Sequence, residues 1–345
     1  MSKFVKFCLF TLLLFSTKSH SEDIMGVGAP IMDVLIPVEE EFLSTINIKK
    51  GDSGVITLEE LKRIMSYNTS NITIKTGGSC SNTLKALAKL GHPSYLYGMI
   101  GRDEMADLYL SYILPLGITP KFLESSTPTA IVASLVTPDG ERTMSAYSGA
   151  SKELSGDLIS ESMFHGAKIV HIEGYAFYND QLVEKAAQAA KSNGAIVSLD
   201  LGCANIVVEN KEELKSIIQK YIGIVFANEN EARTLSGYED LEKACQYIHQ
   251  WCPCVVVLAG KEGCYIGSDN QVSHYSTTPV NAIDTTGAGD VFISGFLHGI
   301  LNGYPLKHCA RIGNILGGVI VQHVGAEIPE EEWNNILTEI QKKAA

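Results

Sequence analysis

The sequence has no concentrated positive charge. Its 345 residues contain 27 lysines and arginines against 39 aspartates and glutamates, a formal net charge of −12 at pH 7, and the basic residues form no cluster. A protein that binds a phosphate backbone or an anionic membrane needs a basic patch, so we expect no nucleic acid and no membrane as a partner. An anion site in this chain must be built locally from backbone amides, a helix terminus and a metal ion.

Several common site signatures are also missing. No Walker A sequence occurs, which excludes a P-loop enzyme, and no Gly-x-Ser-x-Gly elbow of a serine hydrolase is present. Gly26 and Gly28 follow a predicted strand, but the third glycine of a dinucleotide-binding turn is absent, and Asp33 comes too early to bind its ribose. Cys252 and Cys254 are too close for a thioredoxin-like pair, and no cysteines and histidines have zinc spacing. We therefore expect reduced, mostly structural thiols.

Residues 1–21 differ from the rest of the chain. Lys3 and Lys6 precede an apolar run at 7–15, and a polar stretch with small residues follows. These are the parts of a secretory signal, and the run is too short to span a bilayer. We treat 1–21 as a leader or signal-like extension; a misassigned start codon is the alternative. Residues 22–345, without repeats or linkers, are expected to form one catalytic domain.

From residue 22 onward, short apolar runs alternate with helical patterns. This order predicts an α/β fold: a doubly wound, mainly parallel sheet with helices on both faces. Two stretches, about 34–74 and 118–147, break the alternation and predict a small β-lid, with a hairpin turn at 138–141. Strands are predicted at 24–27, 94–99, 169–172, 196–199, 222–226 and 255–258, and helices at 79–90, 181–192, 212–221 and 241–251.

The segment 284–290, Asp-Thr-Thr-Gly-Ala-Gly-Asp, carries the strongest chemical signal. It follows a strand-like stretch at 276–283 and opens a predicted helix at about 288–301. The amides of Gly287, Ala288 and Gly289 would lie at the helix N-terminus as an anion hole. Asp290, in the first turn, can accept a proton from an attacking hydroxyl. Phosphoryl transfer needs both parts; the alternative is a glycine-rich turn whose aspartate favours the helix dipole.

Other polar residues follow predicted strands, where open α/β sheets bind ligands. Asp33 is placed at the end of the first strand, and Gly77, Gly78 and Asn82 at a strand-to-helix junction, where they can bind sugar hydroxyls. Asn228 and Glu231 open another helix. An amide and a carboxylate there suit Mg²⁺ held largely through water, although helix capping explains Asn228 equally well.

In their order, these segments resemble the ribokinase/PfkB family of carbohydrate and nucleoside kinases. The segment 284–290 is similar to the family's C-terminal signature, 76–83 to its Gly-Gly-x-x-x-Asn segment, 228–231 to its Asn-x-x-Glu motif, and 260–263 to its nucleotide loop. The resemblance implies a ribokinase-like fold, ATP as co-substrate and Mg²⁺ as cofactor, with Mg²⁺ near Glu231. It also implies a monovalent cation such as K⁺ at Asp284, near Val324 and Gly325. The implied ATP-binding residues are Asn228, Gly260, Gly263, Thr286, Gly287, Gly289 and Asn314.

Within the family, 127–149 and 226–229 look most like the bacterial adenosine kinase-like branch, particularly 138–144 and 147–150. That implies transfer of the ATP γ-phosphate to the 5′-hydroxyl of the ribose in adenosine. A sugar such as ribose or fructose is the close alternative substrate, and a non-catalytic nucleoside-binding protein is a distant one. Phe42, Tyr147 and Tyr175 are candidates for stacking on a base. The ATP requirement predicts a cytoplasmic enzyme, the leader leaves export open, and the lid permits either a monomer or a lid-mediated homodimer.

Overall fold

The computed structural model describes residues 24–67 and 72–342; the predicted leader lies outside them. The described residues contain fourteen strands and twelve α-helices. The strands are β1 Ile24–Val27, β2 Ile31–Pro37, β3 Ser53–Val55, β4 Thr73–Gly77, β5 Ser94–Gly101, β6 Ile118–Ser125, β7 Ala130–Val136, β8 Arg142–Tyr147, β9 Ile169–Ile172, β10 Ile196–Asp200, β11 Ile224–Asn228, β12 Cys254–Leu258, β13 Cys264–Ser268 and β14 Gln271–Tyr275. The helices are α1 Glu40–Thr45, α2 Leu58–Met65, α3 Ser79–Lys89, α4 Glu104–Ile113, α5 Leu182–Ser192, α6 Ala204–Glu209, α7 Lys211–Tyr221, α8 Glu229–Ser236, α9 Leu241–His249, α10 Ala288–Leu301, α11 Leu306–Ile320 and α12 Trp333–Lys342.

A nine-stranded sheet forms the body, in the order β14-β13-β12-β11-β10-β9-β1-β5-β6. Its strands are parallel except at the β12–β13 and β13–β14 pairings. Successive side chains of β1 enter opposite cores: Met25 and Val27 pack with α5 and α7, and Ile24 packs with α3 and α10. Strands covered on both faces are apolar throughout, which is why the sequence predicted β1 and β9 with their observed bounds.

The lid is a separate five-stranded sheet in the order β3-β8-β7-β2-β4. Strands β7 and β8 form the predicted antiparallel hairpin. In its turn, the Gly140 N–H donates to Thr137 O at 2.8 Å, with Gly140 at a φ of 86°. The left-handed φ requires glycine, so the turn chemistry identified this hairpin correctly.

Three placements made from the sequence are wrong. Residues 276–283 form no strand; β14 ends at Tyr275, and the next residues run irregularly along the surface, where Pro279 has no N–H for a ladder. Strand β6 belongs to the body, not the lid, because it pairs in parallel with β5. Asp33 does not end the first strand, since β1 ends at Val27 and Asp33 lies within lid strand β2.

Candidate active site

Asp290 lies in the first turn of α10, where two side chains from α3 hold its carboxylate. Ser79 Oγ donates to Oδ1 at 2.7 Å, and Asn82 Nδ2 donates to Oδ2 at 2.9 Å. Burial raises the pKa of Asp290 to about 6, although both hydrogen bonds and the charge of Lys85 oppose the increase. The carboxylate is therefore ionised at neutral pH, yet closer in proton affinity to a general base than an ordinary aspartate.

Asp33 reaches the same region from the lid. A Cβ on Gly77 would lie 2.4 Å from Asp33 Oδ2, so only glycine admits the carboxylate. Gly78 has a φ of 91°, and a Cβ there would lie 2.3 Å from Ala29 O. Burial raises the pKa of Asp33 to about 6; Lys85 opposes the rise, Glu327 adds to it, and Arg142 opposes it. Asp33, Gly77, Gly78 and Asn82 therefore converge as the sequence predicted, although two of them reach the site on lid strands.

The amide of Asn82 is only half satisfied. Its nitrogen donates to Asp290, whereas its Oδ1 is buried without a hydrogen-bond partner among the described residues. An unpaired buried acceptor costs about 1–3 kcal/mol. Asn82 therefore presents an acceptor suited to a ligand hydroxyl beside the carboxylate that could deprotonate one.

The glycine-rich turn before α10 serves two purposes. Gly287 adopts the left-handed region at a φ of 73°, and a Cβ there would lie 2.7 Å from Ala326 Cβ, so this glycine is required by the fold. The Ala288 N–H donates to Thr285 O at 3.2 Å and stabilises the turn. Gly289 differs, because the nearest atom to a Cβ there, Leu258 Cδ2, would be 4.0 Å away. Packing therefore leaves room for a side chain at 289.

A cavity of about 520 Å³ adjoins this turn. Of the predicted ATP-binding residues, Asn228, Gly260, Gly263, Gly289 and Asn314 line it, whereas Thr286 and Gly287 do not; at the turn before α10 the lining residues are Thr285, Ala288 and Gly289. Lining residues that the sequence analysis did not single out for this role are Thr277, Pro279, Phe292, Gly317, Gly318 and Val321.

Two glycines of α11 mark the cavity wall. A Cβ added at Gly318 would meet no atom within 4 Å, and one added at Gly317 would lie 3.8 Å from its nearest neighbour, Phe292 Cβ. Each glycine within a helix costs about 1 kcal/mol relative to alanine. Neither is required by packing, and both line the cavity; the sequence analysis did not single out this helical glycine pair.

Asn228 and Glu231 form the N-terminal capping box of α8. Asn228 accepts from the Glu231 N–H at 3.0 Å, and Glu231 Oε2 accepts from the Asn228 N–H at 2.8 Å. Burial raises the pKa of Glu231 to about 7, against the Asn228 hydrogen bond. Burial, and then the charge of Glu231, raise the pKa of the neighbouring Asp200 well above its usual value.

The carboxylates of Glu231 and Asp200 would suit a divalent cation that is separated from them by water. Two acids whose charges are disfavoured by burial and by each other are stabilised by a nearby Mg²⁺, which usually keeps several waters. Among the described residues, no three acidic, histidine or cysteine side chains converge as direct ligands. Water-mediated binding of Mg²⁺ near Glu231 therefore stays a prediction.

Asp284 is fully engaged by the protein. Its Oδ1 accepts from the N–H and hydroxyl of Thr286 at 3.0 and 2.7 Å, and its Oδ2 accepts from the Gly325 N–H at 2.8 Å. The Arg142 guanidinium lies 3.2 Å from Oδ2. Burial alone would raise the pKa of Asp284, but these hydrogen bonds and the charge of Arg142 hold it below its usual value.

The arrangement at Asp284 does not fit a monovalent cation, because a guanidinium already supplies the positive charge. The ion pair also joins lid strand β8 to the turn before α10. Sequence reasoning missed it, since nothing in a single sequence pairs positions 142 and 284.

The described part of the chain contains no helix long and apolar enough to cross a membrane.

A doubly wound body, a β-lid, a buried aspartate at a helix N-terminus and a glycine-lined cavity beside it are the parts of a small-molecule kinase. The chain belongs to the pfkB family of carbohydrate kinases, whose signature matches residues 46–333. It is therefore a phosphotransferase that acts on a hydroxyl group, with ATP as co-substrate. The family and enzyme class inferred from the sequence are confirmed.

Relatives cover nearly the whole chain. Adenosine kinase 2 of Arabidopsis thaliana is 24% identical over 344 residues, which span 92% of this chain and 98% of the relative. The crystal structure of adenosine kinase from Sinorhizobium meliloti has a TM-score of 0.82 at 26% identity and covers 92% of this chain and 99% of its own. A probable sugar kinase from Rhizobium etli has a TM-score of 0.83 at 27% identity, covering 93% and 99%. The ribokinase-like fold prediction is confirmed, and the chain is similar to adenosine kinases.

Proposed function

We propose that this kinase transfers the γ-phosphate of ATP to the 5′-hydroxyl of a ribose, with adenosine as the preferred acceptor and AMP as the product. The observation that carries the proposal is Asn82, which donates to Asp290 and has a buried acceptor oxygen without a hydrogen-bond partner among the described residues. Asp33, on the lid, supplies two more acceptor oxygens. A polyhydroxylated sugar edge satisfies these acceptors and places one hydroxyl against Asp290.

The chain's own groups account for the transfer. Asp290 accepts the proton of the attacking hydroxyl, and the backbone at Gly287 and Gly289 would stabilise the charge that develops on the transferring phosphoryl group. The amide of Ala288, which the sequence also predicted for this role, already donates to Thr285 O. The cavity bounded by Gly289, Gly317 and Gly318 accommodates the nucleotide. Mg²⁺, held through water near Glu231 and Asp200, would neutralise phosphate charge when bound. Asp284 orders the turn through Thr286, and no step uses K⁺.

The similarity of this chain to two adenosine kinases favours adenosine over a free sugar as the acceptor. The similarity to a probable sugar kinase favours the alternative acceptor. Of the three candidate stacking residues, Phe42 is 7% exposed and stacks on Tyr67 with ring centroids 3.6 Å apart, so it belongs to the lid core. Tyr175, 44% exposed, and the half-buried Tyr147 remain candidates for contact with a base.

An ATP-consumption assay with Mg²⁺ tests the acceptor, using adenosine, inosine, ribose, fructose and sugar phosphates. We expect adenosine to give the highest kcat/KM. If only a sugar is phosphorylated, the nucleoside assignment fails while the roles of Asp290 and Asn82 stand. If nothing is phosphorylated but adenosine binds in calorimetry, the chain is the non-catalytic nucleoside-binding protein.

We also propose a cytoplasmic enzyme that is a monomer or a lid-mediated homodimer. The lid offers an apolar edge for pairing, because Val55 on β3 is 77% exposed and Met144 on the adjacent β8 is 44% exposed. Light scattering of Val55→Lys against the wild type would distinguish the two states. Mass spectrometry of the natural N-terminus would show whether residues 1–21 are removed.

A further inference from the structure

The lid is joined to the body by four chain crossings that meet in two pairs. In the first pair, residues 28–30 lead from β1 into β2, and Gly78 leads from β4 into α3; these crossings touch where Gly78 faces Ala29 O. In the second pair, residues 126–129 lead into β7 and 148–150 leave β8, with the Ala150 N–H donating to Pro128 O at 2.8 Å. Any movement of the lid must pass through these two pairs.

Carboxylates bind both pairs: Glu173 binds the first pair, and Asp103 and Glu153 bind residues 126–129 of the second. Glu173, 2% exposed at the end of β9, accepts from the Ala29 N–H at 2.8 Å with Oε1 and from the Cys80 N–H at 2.9 Å with Oε2. Asp103, the N-cap of α4, accepts from the N–H and hydroxyl of Thr129 at 2.7 and 2.6 Å. Glu173 therefore joins both crossings of the first pair, whereas Asp103 holds only one crossing of the second.

The environment of Glu173 is built around its carboxylate. A Cβ on Gly28 would lie 2.5 Å from Glu173 Oε2 and 2.5 Å from Cys80 Cβ, so glycine at 28 provides the space. The Glu173 N–H also donates to Val27 O at 3.2 Å, which fixes its backbone to the end of β1. This explains Gly28 physically: it accommodates an acid, not a dinucleotide.

Both amides that Glu173 holds lead directly to the acceptor site. Cys80 lies in the first turn of α3 between Ser79 and Asn82, the two residues that donate to Asp290. Ala29 precedes Asp33 by four residues along the same crossing and strand. Neither segment contributes to the nucleotide cavity, which is lined from α8, α10, α11 and the loops around β12–β14.

We propose that Glu173 is a positioning residue that keeps Asp33, on the lid, in register with Asn82, on the body, and so sets the affinity for the acceptor. The two oxygens of its carboxyl group accept from both amides at once, whereas an isosteric amide would turn an NH₂ group toward one of them. The kinetic part of this inference rests on the proposed function, but the hydrogen-bonding part does not.

The test compares Glu173→Gln with Asp103→Asn in the full-length chain, since both replace an acid that binds a lid crossing by its amide. Hydrogen exchange by mass spectrometry follows peptides covering 24–37, 76–84 and 126–131, and steady-state kinetics give KM for acceptor and for ATP separately. For Glu173→Gln we expect faster exchange in the first two peptides together. We also expect an acceptor KM raised about tenfold or more, as for a lost hydrogen bond to a charged group, with the KM for ATP within about twofold. For Asp103→Asn we expect faster exchange only at 126–131.

The outcomes separate this inference from the proposed function. If the wild type phosphorylates no acceptor, the proposed function fails, and exchange alone decides: joint acceleration at 24–37 and 76–84 supports the role of Glu173, and unchanged exchange overturns it. If Glu173→Gln raises both KM values equally and by the same factors as Asp103→Asn, Glu173 contributes only to general stability, and the inference is overturned. If Glu173→Gln does not fold, Glu173→Asp replaces it, because the shorter acid keeps the charge but cannot span both amides.

Discussion

The two halves of the active site are built by opposite means. The acceptor half is dense with directed side chains: Ser79 and Asn82 hold Asp290, and glycine at 77 admits Asp33. The nucleotide half is defined by missing side chains, at Gly289 and in the glycine pair of α11. A small acceptor must be oriented to within a bond length for transfer, whereas a large co-substrate needs room and backbone contacts. Substitutions in the two halves should therefore impair different kinetic properties.

The largest effect is expected on the acceptor half. Asp290→Asn should fold normally and bind ATP as before, but lower kcat by about 10²–10⁴-fold, since the amide cannot take the proton. Steady-state turnover and calorimetric ATP binding measure the two properties separately. Asp240→Asn, at the exposed N-cap of α9, is the matched control and should leave both unchanged. An Asp290→Asn enzyme with ordinary kcat would contradict the assigned role.

The second prediction concerns pH. Asp33 and Asp290 both have a pKa raised to about 6, and both must be ionised, so neither group should limit kcat/KM above pH 7. Below pH 6 it should fall about tenfold or more per pH unit. Ser79→Ala removes a hydrogen bond that lowers the pKa of Asp290, and should move the acidic limb to higher pH. If the acidic limb stays at the same pH in Ser79→Ala, groups other than Asp290 cause it.

A stability control accompanies the pH profile. A carboxyl group whose pKa is higher in the folded chain than in the unfolded chain takes up protons first in the folded state, between the two values. These two groups therefore contribute stability as the pH falls from 7 toward 5, and cost stability as the pH rises through 6. The melting temperature should hold or rise across the window in which activity falls, so a parallel loss of both would point to unfolding instead.

On the nucleotide half, Gly289→Ala should separate stability from function. Alanine fits without contact, and in a helix it stabilises by about 0.5–1 kcal/mol relative to glycine, so the melting temperature should rise slightly. The same methyl group would enter the phosphate cradle and raise the KM for ATP about tenfold or more. Gly54→Ala, in β3 with no atom within 4 Å, is the control. An unchanged KM for ATP would remove Gly289 from the binding surface.

The smallest effect is expected from potassium. The Arg142 guanidinium, which is always charged, already balances Asp284. Exchanging K⁺ for Na⁺ or choline at equal ionic strength should change kcat/KM by less than about twofold. A strong and specific activation by K⁺ would show that Arg142 leaves Asp284 during turnover, and would restore the cation site that the family resemblance implies.

Local chemistry decided what the sequence could predict. Strands β1 and β9 and helix α10 were placed at their observed bounds, because unbroken apolar runs and a glycine-rich helix start carry their own signals. Residues 276–283 were misplaced because Thr-Thr-Pro-Val has strand-like composition, yet this segment lines the nucleotide cavity instead of joining a sheet. Strand β6 was assigned to the lid because it lies at the sheet edge, and its exposed and half-buried residues between Ile118 and Ser125 lack the apolar run of a central body strand.

The candidate site divides in the same way. Asp290, Gly289 and Asn82 could be predicted because each belongs to a short motif whose spacing carries the chemistry. Asp33 was identified but assigned to the wrong strand, since the crossing at Pro30 into the lid has no local mark stronger than an ordinary turn. Glu173 acts through partners 93 and 144 positions away, and Arg142 is just as remote in sequence from Asp284. Only the folded chain shows such pairings.

The ion pair between Arg142 and Asp284 adds an electrostatic attraction to the contact between the lid and the body. Strand β8 cannot lift from the body without separating the two charges, so each opening exchanges a half-buried ion pair for hydrated groups. Dissolved salt screens such attractions. The separated, hydrated charges therefore become more stable relative to the ion pair. The open population, and with it the escape of product, should therefore increase with ionic strength, even though neither charge takes part in the chemistry.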